Sequence, residues 1–358
     1  RTRWLTPSLR DCRGNGAYTM EEINVAIAGA TGAVGEAMRE ILEERNFPIG
    51  ELVLLASERS TGKRLQFHGK SIQVRLLDDF DFSDTQIALF SAGGTVSMEH
   101  GERAALSGAI VVDNTSAFRY DDDVPLVVPE VNGHRVQDAF TRHIVANPNC
   151  STIQMVVALK PIYDAVGLER INVATYQAVS GAGTGGINEL AEQTLSLMNG
   201  KDVESRVHPV QIAFNAIPHI DPFQDNGYTK EEMKMVWETQ KIFEDERIRV
   251  NPTCVRVPVF YGHSEAVHIE TSEPISAEEA RDLLASAEGV EVLDDQNANS
   301  YPTSALDAAS NDAVFVGRIR EDISHPCGLN LWIVSDNVRK GAALNSVQIA
   351  EGLLPLLA

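Results

Sequence analysis

The segment Ile23-Asn-Val-Ala-Ile-Ala-Gly29-Ala-Thr-Gly32-Ala-Val-Gly35 decides the fold of this chain. Its first six residues form a short apolar run, which predicts a β-strand covered on both faces. Three glycines at intervals of three follow, and an amphipathic helix pattern extends from there to about Asn46. Glycines between a strand and a helix let the backbone approach a pyrophosphate at the helix N-terminus. We therefore predict a dinucleotide site formed by Gly29, Thr31, Gly32, Ala33, Val34 and Gly35.

The pattern of strand and helix continues through the first 150 residues. Glycine turns after strands are frequent, so the loop alone would be a weak signal, and the alternative is a simple tight turn. Its place at the start of a repeated strand–helix order favours dinucleotide binding in a doubly wound parallel sheet. Further strands are predicted at 52–56, 71–77, 86–91, 109–113 and 143–146.

After residue 150 the chain has more strands and fewer helices between them. This change predicts a second, α+β domain with a mainly antiparallel or mixed sheet. Its predicted strands are 171–179, 253–260, 265–271, 313–319 and 329–335. Its predicted helices are 187–198, 230–244 and 277–287, and a last amphipathic helix covers 340–357.

The ends of the chain complete the predicted organisation. Residues 1–19 carry four arginines, one acidic residue and no apolar segment, so they do not form a secretory signal. We interpret them as a disordered extension and exclude them from the fold. The nucleotide-binding domain is assigned to 20–150 together with 338–358, and the second domain to 151–337.

Composition limits the classes of function. The formal net charge of −21 argues against general binding to nucleic acid or a membrane surface. It also means that an anionic substrate needs a local cationic site. The cysteines are scattered without a CxxC pair, which indicates a reducing compartment, here the cytoplasm, and neither disulfides nor zinc. They are Cys12, Cys150, Cys254 and Cys327.

Asn147-Pro-Asn-Cys150-Ser-Thr152 places one cysteine where an apolar strand stops and a helix pattern begins. Free N–H groups and the helix dipole favour the thiolate at such a position, so Cys150 is a candidate nucleophile. Most free cysteines are instead buried and inert. Pro148 before it, and helix-start hydrogen bonds from Ser151 or Thr152, favour an edge position. A thiol beside a dinucleotide site indicates hydride transfer to or from a thioester.

The stretch Ala56-Ser-Glu-Arg59-Ser-Thr-Gly-Lys63 follows the second predicted strand, where the two nicotinamide cofactors are distinguished. An acidic residue there reads a ribose hydroxyl, whereas arginine and hydroxyl groups bind a 2′-phosphate. Glu58 is surrounded by Ser57, Arg59 and Ser60, so we predict NADP. The alternative is an exposed polar loop with a loose cofactor preference.

From about Asn24 to Glu351 the chain resembles the bacterial aspartate-β-semialdehyde dehydrogenases. The resemblance implies NADPH-dependent reduction of L-aspartyl 4-phosphate to L-aspartate 4-semialdehyde with release of inorganic phosphate. That step feeds lysine, threonine and methionine synthesis, and the family forms homodimers or tetramers of dimers. The motifs are Gly29 to Gly35, Asn147 to Thr152, Asp113-Asn-Thr-Ser-Ala-Phe-Arg119, Tyr176-Gln-Ala-Val-Ser-Gly-Ala-Gly183, Cys254-Val-Arg256-Val-Pro with Gly262-His-Ser264, and Ser335-Asp-Asn-Val-Arg-Lys-Gly-Ala-Ala-Leu-Asn345.

The resemblance also implies catalytic roles. Cys150 would attack the acyl phosphate, and His263 would be the acid/base, because imidazole titrates near working pH. Gln177 would orient the acyl group; alternatively it is a polar residue satisfied at a strand end. His263 and His268 are five apart on an extended segment and face opposite sides, so no metal site is predicted. The residues expected beside the cofactor are the glycine-rich loop with Ser180 and Gly181, Asn337, and nearby Lys340 and Gly341.

Substrate recognition needs charges of both signs. By resemblance, Arg256 binds the α-carboxylate; its alternative is a buried internal ion pair. Glu231 and Lys234 are one helical turn apart, and from the pattern alone they are a solvated ion pair. By resemblance, Glu231 contacts the α-amino group, and Lys234 binds phosphate beside Arg119 and Asn149. The cluster of Arg119, Lys234 and Arg256 would attract an anion to this acidic protein.

The sequence also differs from what three alternative functions would require. N-acetyl-glutamyl-phosphate reductases typically have Asn-Pro-Gly-Cys-Tyr at the cysteine, where this chain has Asn149 and Ser151. The Ser-Cys-Thr-Thr motif of glyceraldehyde-3-phosphate dehydrogenases is absent from the sequence. A non-catalytic paralogue is expected to lose Cys150, Gln177, Arg256 or His263, and all four are present.

Overall fold

In the computed structural model, which describes residues 22–295 and 297–357, the first half of the chain forms a six-stranded parallel sheet. The strand order is β5-β2-β1-β6-β7-β8, as a doubly wound fold requires. The strands are β1 (Ile23–Ala28), β2 (Ile49–Ala56), β5 (Arg75–Leu76), β6 (Ile87–Phe90), β7 (Ile110–Asp113) and β8 (Ile144–Ala146). The helices of this part are α1 (Ala33–Glu44), α2 (Gly94–Val96), α3 (Glu102–Leu106) and α4 (Pro129–Asn132). The extension predicted for 1–19 lies outside the described residues.

The second half forms a mixed six-stranded sheet in the order β10-β9-β11-β14-β13-β12, which confirms the predicted α+β domain. Its strands are β9 (Leu168–Gln177), β10 (Arg249–Arg256), β11 (His263–Thr271), β12 (Val290–Val292), β13 (Val314–Glu321) and β14 (Gly328–Ser335). The helices are α5 (Cys150–Val166), α6 (Gly183–Met198), α7 (Lys230–Phe243), α8 (Ala277–Ala285) and α9 (Leu344–Leu357).

Helix α5 joins the two halves into one hydrophobic core. Ile153, Met155 and Leu159 are fully buried, in one cluster with apolar residues of both sheets. On the opposite side of the first sheet, α9 packs with α1 through Val347 and Leu353. The chain therefore returns to the first sheet after crossing the second.

Several predicted boundaries were wrong. The strand predicted at 71–77 is interrupted at Val74. The N–H of this residue donates a hydrogen bond to the Lys63 carbonyl, and its carbonyl accepts one from the Gly62 N–H. The residues before it, β4 (Lys70–Gln73), pair with β3 (Arg64–Phe67) in a separate hairpin. The strand predicted at 253–260 is β10, which begins four residues earlier, at Arg249, and ends at Arg256. The glycine-rich loop after Ser180 is already helical from Gly183.

Candidate active site

One end of the second sheet brings together residues that are far apart in the sequence. Gln177 ends β9, Arg256 ends the parallel strand β10, and the two residues are in register. His263 begins the antiparallel strand β11, next to β9. Because these strand ends meet at the same end of the sheet, Gln177, Arg256 and His263 form one buried cluster.

Cys150 is the first residue of α5 and is half-buried. The side chain of Asn149 caps this helix, because its Oδ1 accepts the N–H groups of Ser151 (3.0 Å) and Thr152 (3.4 Å). The expected capping by Ser151 or Thr152 was wrong. A Cβ added to Gly341 would lie 2.8 Å from that of Cys150, so only glycine fits against this cysteine.

His263 is fully buried, and a backbone N–H fixes the tautomer of its neutral ring. The Ala178 N–H donates to Nδ1 at 3.0 Å, so a neutral ring carries its proton on Nε2. Burial, and then the charge of Arg256, lower the pKa of His263 to about 3. The expectation that this histidine titrates near working pH was therefore wrong for the resting site, where His263 is a neutral donor.

Glu231 is a buried carboxylate at the centre of a hydrogen-bond network. Oε1 accepts from Gln177 Nε2 (3.0 Å) and Asn149 Nδ2 (2.9 Å), and Oε2 pairs with Lys234 Nζ at 2.8 Å. Burial opposes its ionisation, yet the charge of Lys234 and these donors lower the pKa of Glu231 to about 2. Lys234 also contacts Asp221 at 2.6 Å, so this lysine is paired twice and is not the solvated residue of the simple pattern.

Arg256 is buried, and its Nη1 donates to the Ala178 carbonyl at 2.7 Å. Among the residues that the structure describes, none forms a salt bridge with it, so the internal ion-pair interpretation was wrong. Burial lowers the pKa of this guanidinium, although Glu231 opposes the change. A buried cation without a salt bridge favours an anionic ligand. Gly181 leaves it room, because a Cβ there would lie 2.9 Å from Arg256 Nη1.

Arg119 is paired with a residue that the sequence does not predict. Its Nη1 lies 3.0 Å from Glu238 Oε1, and its Nη2 donates to the Asn114 carbonyl at 3.2 Å. Glu238 is fully buried and also accepts the Asn149 N–H at 2.6 Å. The available signal was its position two helical turns after Glu231, on the same face of α7. Of the three predicted cations, Arg119 and Lys234 are thus neutralised by carboxylates, and Arg256 is the one without such a partner within the described chain.

The charged groups around Cys150 shift the pKa of its thiol in opposite directions. Burial raises the pKa of Cys150 to about 12, and Glu231 adds to the rise, against Arg256, Lys234 and Arg119. The thiolate expected from the helix dipole is therefore not the resting form. A dipole contribution at a helix end is small beside the desolvation of a thiol in such a site.

This balance predicts opposite effects on alkylation of Cys150 by iodoacetamide. Glu231→Gln removes the opposing carboxylate and should speed the reaction at pH 7 about tenfold, which corresponds to roughly one pKa unit. Arg256→Met should slow it by a similar factor. Glu192→Gln, a surface substitution of the same kind, is the control. Equal rates for the two variants would show that these charges do not set the thiol's ionisation.

In the glycine loop at the end of β1, backbone segments approach each other closely. Gly29 has φ of +87°, and a Cβ there would lie 2.5 Å from the Ser91 carbonyl oxygen. A Cβ on Gly35 would lie 2.3 Å from the Gly29 oxygen, whereas one on Gly32 would meet only that oxygen, at 3.5 Å. Gly32 is exposed and caps α1 without a side-chain hydrogen bond. Its missing side chain leaves space for a ligand at the helix N-terminus.

Family profiles match both halves of the chain. The semialdehyde dehydrogenase NAD-binding domain matches residues 24–139, and the semialdehyde dehydrogenase dimerisation domain matches residues 159–340. An aspartate-semialdehyde dehydrogenase from Legionella pneumophila is 63% identical over 329 residues, which cover 92% of this chain and 95% of the relative. The chain belongs to the aspartate-semialdehyde dehydrogenase family.

Solved members of the aspartate-semialdehyde dehydrogenase family share the fold. A structure of aspartate semialdehyde dehydrogenase II from Vibrio cholerae complexed with ASA has a TM-score of 0.92 and 61% identity, covering 94% of this chain and 99% of the other. The Candida albicans enzyme with NADP has a TM-score of 0.72 and 26% identity, covering 93% and 98%. The identity of the family thus rests on sequence and structure together.

Elsewhere in this family member, the last motif lies beside Gly262 and His263. Asn337 Oδ1 accepts the Gly262 N–H at 3.0 Å, and its amide contacts Ser180 Oγ at 2.9 Å. Lys340, expected near the cofactor, instead inserts between Glu130, Asn345 and Gln348 and is fully buried. Lys340 and Glu130 therefore form a buried ion pair that stabilises the fold. Within residues 22–295 and 297–357, no cluster suited to a metal ion and no membrane-spanning helix is present.

Proposed function

We propose that the protein reduces L-aspartyl 4-phosphate to L-aspartate 4-semialdehyde with NADPH and releases inorganic phosphate, through a thioester on Cys150. The observation that carries the proposal is the pairing of opposite charges around Cys150. Arg256 offers an uncompensated guanidinium to an α-carboxylate, and Glu231 offers a carboxylate to an α-amino group. The Vibrio cholerae relative complexed with ASA, at 61% identity, supports the same substrate.

The residues around Cys150 suit the acyl-transfer step. As the sulfur bonds to the acyl carbon, the carbon–oxygen bond to phosphate breaks, and the thiol proton passes to the departing phosphate. Gln177 and the Nε2–H of His263 are donors beside that carbon, where they stabilise negative charge on the carbonyl oxygen. In the second step the Nε2–H of His263 donates a hydrogen bond to the oxygen of the reduced thioester; when the carbon–sulfur bond then breaks, the aldehyde is released and the sulfur regains a proton from solvent. Phosphate is assigned to Arg119, Lys234 and Asn149.

The cofactor assignment rests on the glycine loop and the residues after β2. Gly29, Gly32 and Gly35, with the first N–H groups of α1, would hold the pyrophosphate. When bound, the nicotinamide supplies the hydride that reduces the thioester. Ser57 precedes the short helical turn Glu58–Ser60, which contains Arg59. Ser57 and Arg59 are exposed beside buried Ser60, and we assign them to the 2′-phosphate of NADP. Ser180, Gly181 and Asn337 are assigned to the nicotinamide side because they adjoin His263.

Arg59→Ala tests the choice of cofactor. Only NADP carries the 2′-phosphate, and a charge-assisted contact is worth about 1.5–3 kcal/mol. The KM for NADP should therefore rise by about ten- to a hundredfold, while the weaker use of NAD changes little. Equal losses with both cofactors would show that Arg59 is structural, and Glu58 would then be the residue to test for contact with the ribose.

We also propose that the protein is a homodimer through the open face of the second sheet, the face formed by Asn172, Tyr176, His268 and Trp332. These side chains are half-buried or exposed, and the rings of Tyr176 and Trp332 lie 5.6 Å apart. A broad, partly aromatic sheet face is typical of subunit interfaces. Sedimentation velocity should give the mass of two chains or a multiple of it, and Trp332→Asp should shift the protein toward monomer. A monomeric wild type would contradict this proposal.

The remaining assignments follow from the same proposal. The chain's organisation into a cofactor domain (20–150 with 338–358) and a catalytic and dimerisation domain (151–337) is supported by the packing of α9 on α1. Scattered cysteines support a cytoplasmic location, and the reaction places the enzyme in lysine, threonine and methionine synthesis. Cell fractionation and complementation of an auxotroph would test these two assignments.

A steady-state assay with aspartate semialdehyde, phosphate and NADP tests the activity. Continuous formation of NADPH over many turnovers should require all three. N-acetyl-glutamate semialdehyde should be a poor substrate, because its blocked amine cannot pair with Glu231 in the buried site. Faster turnover of the acetylated compound would favour the N-acetyl-glutamyl-phosphate reductase alternative instead.

A further inference from the structure

Helix α7 holds the residue before the nucleophile at two points. Glu231 accepts from the side-chain amide of Asn149 at 2.9 Å, and Glu238, two turns later, accepts from its backbone N–H at 2.6 Å. The Asn149 Oδ1 in turn caps the helix that Cys150 begins. The peptide that precedes Cys150 is therefore fixed chiefly by carboxylates of α7.

The second oxygen of Glu238 points to a different part of the site. Oε1 lies 3.0 Å from Arg119 Nη1 and 3.4 Å from the Tyr120 hydroxyl. Arg119 has a further buried donor, Nε, which has no partner within the described chain. Pairing with Glu238 thus fixes the direction of the guanidinium and leaves a donor for another anion.

We propose that Glu238 is a positioning residue that couples phosphate recognition at Arg119 to the placement of Cys150. One carboxylate, fully buried, bonds the cation on one oxygen and the Asn149 N–H on the other. Any shift of Arg119 on binding an anion is therefore transmitted to the peptide before the nucleophile. This inference rests on the proposed function in that phosphate is taken as the anion bound by Arg119.

Glu238→Gln separates these two tasks with a minimal change of shape. Because the two donors lie against different oxygens of the carboxylate, a glutamine presents its one oxygen to one of them and its NH2 group to the other. Because both donors are buried, one contact must break. If the amide oxygen keeps the backbone N–H, the nucleophile stays in place and Arg119 loses its partner. Glu238→Asp keeps the charge but is one methylene too short to span both donors.

The test measures protection of Cys150 from iodoacetamide by inorganic phosphate, which needs no turnover. We expect Glu238→Gln to raise the phosphate concentration for half-protection about tenfold or more. In the assay direction that consumes phosphate, its KM should rise similarly, while the KM for NADP changes less than about twofold. Glu244→Gln is the matched control, since Glu244 follows the same helix and pairs with Arg135 at the surface.

The outcomes separate this inference from the proposed function. An active Glu238→Gln enzyme with unchanged phosphate protection and unchanged phosphate KM would overturn the positioning role and leave the proposed activity standing. Wild type could lack the proposed activity while phosphate still protected Cys150 and Glu238→Gln shifted that protection. This outcome would support the coupling and refute the proposed activity. Should Glu238→Gln not fold, Glu238→Asp must show the same shift, and a folded Asp variant with wild-type protection would equally refute the coupling.

Discussion

Cys150→Ala is expected to abolish turnover, with kcat falling by a factor on the order of 10⁴ or more. The thiol forms the thioester in the proposed reaction, and no other cysteine described by the structure is placed to replace it. Cys254 is buried and contacts Met235, and Cys327 lies at the turn before β14. Steady-state rates in both directions provide the measurement.

Binding of NADP is the control for this variant. Its predicted contacts are on the glycine loop and the turn after β2, so the Kd for NADP should remain within about threefold of wild type. Activity within tenfold of wild type would remove Cys150 from the mechanism. A loss of NADP binding together with activity would instead indicate that the substitution disturbed the start of α5.

Arg256→Lys is expected to lower kcat/KM for aspartate semialdehyde by on the order of a hundredfold. Lysine keeps the positive charge but loses the planar pair of donors that matches a carboxylate. Holding that carboxylate fixes the reacting carbon relative to Cys150, and a displacement of about 1 Å can reduce the rate by about 10²-fold. The structure strengthens this expectation, because Arg256 makes no salt bridge to a described residue that would explain its burial otherwise.

A substrate without the α-carboxylate, 3-aminopropanal, separates recognition from folding. Wild type should use it poorly, and Arg256→Lys should impair it far less than it impairs aspartate semialdehyde. The melting temperature should change little. If both substrates lose the same factor, or the main effect is a lower melting temperature, then Arg256 supports the fold and the carboxylate binds elsewhere.

The elements that the sequence predicted well have a strong local cause. The strand before Gly29 is apolar except for Asn24, and the helix after it is amphipathic. A Cβ on Gly29 or Gly35 would collide with backbone atoms, and Gly32 leaves space at the helix N-terminus. The strand at 71–77 was mispredicted because its interruption at Val74 depends on hydrogen bonds to Lys63 and Gly62. Such tertiary contacts leave no periodic pattern in the chain.

In the candidate site, too, some features follow from the local sequence and others from tertiary contacts. Types and positions of candidate residues follow from motifs, but their ionisation depends on burial and neighbours that only the folded chain supplies. The helix dipole suggested a thiolate at Cys150, whereas burial and Glu231 favour the thiol. The role of His263 as a neutral donor depends on the Ala178 N–H. Glu238 carries no motif of its own, so its place between Arg119 and Asn149 emerged from the structure.

The most direct test of the thioester mechanism omits phosphate. Enzyme mixed with aspartate semialdehyde and NADP should release one equivalent of NADPH per active site in a burst and then stop. Mass spectrometry of the peptide containing Cys150 should show one aspartyl group, which added phosphate removes. No burst and no acyl group on Cys150, in a preparation that turns over when phosphate is present, would contradict the account, as would an aspartyl group on Cys254 or Cys327.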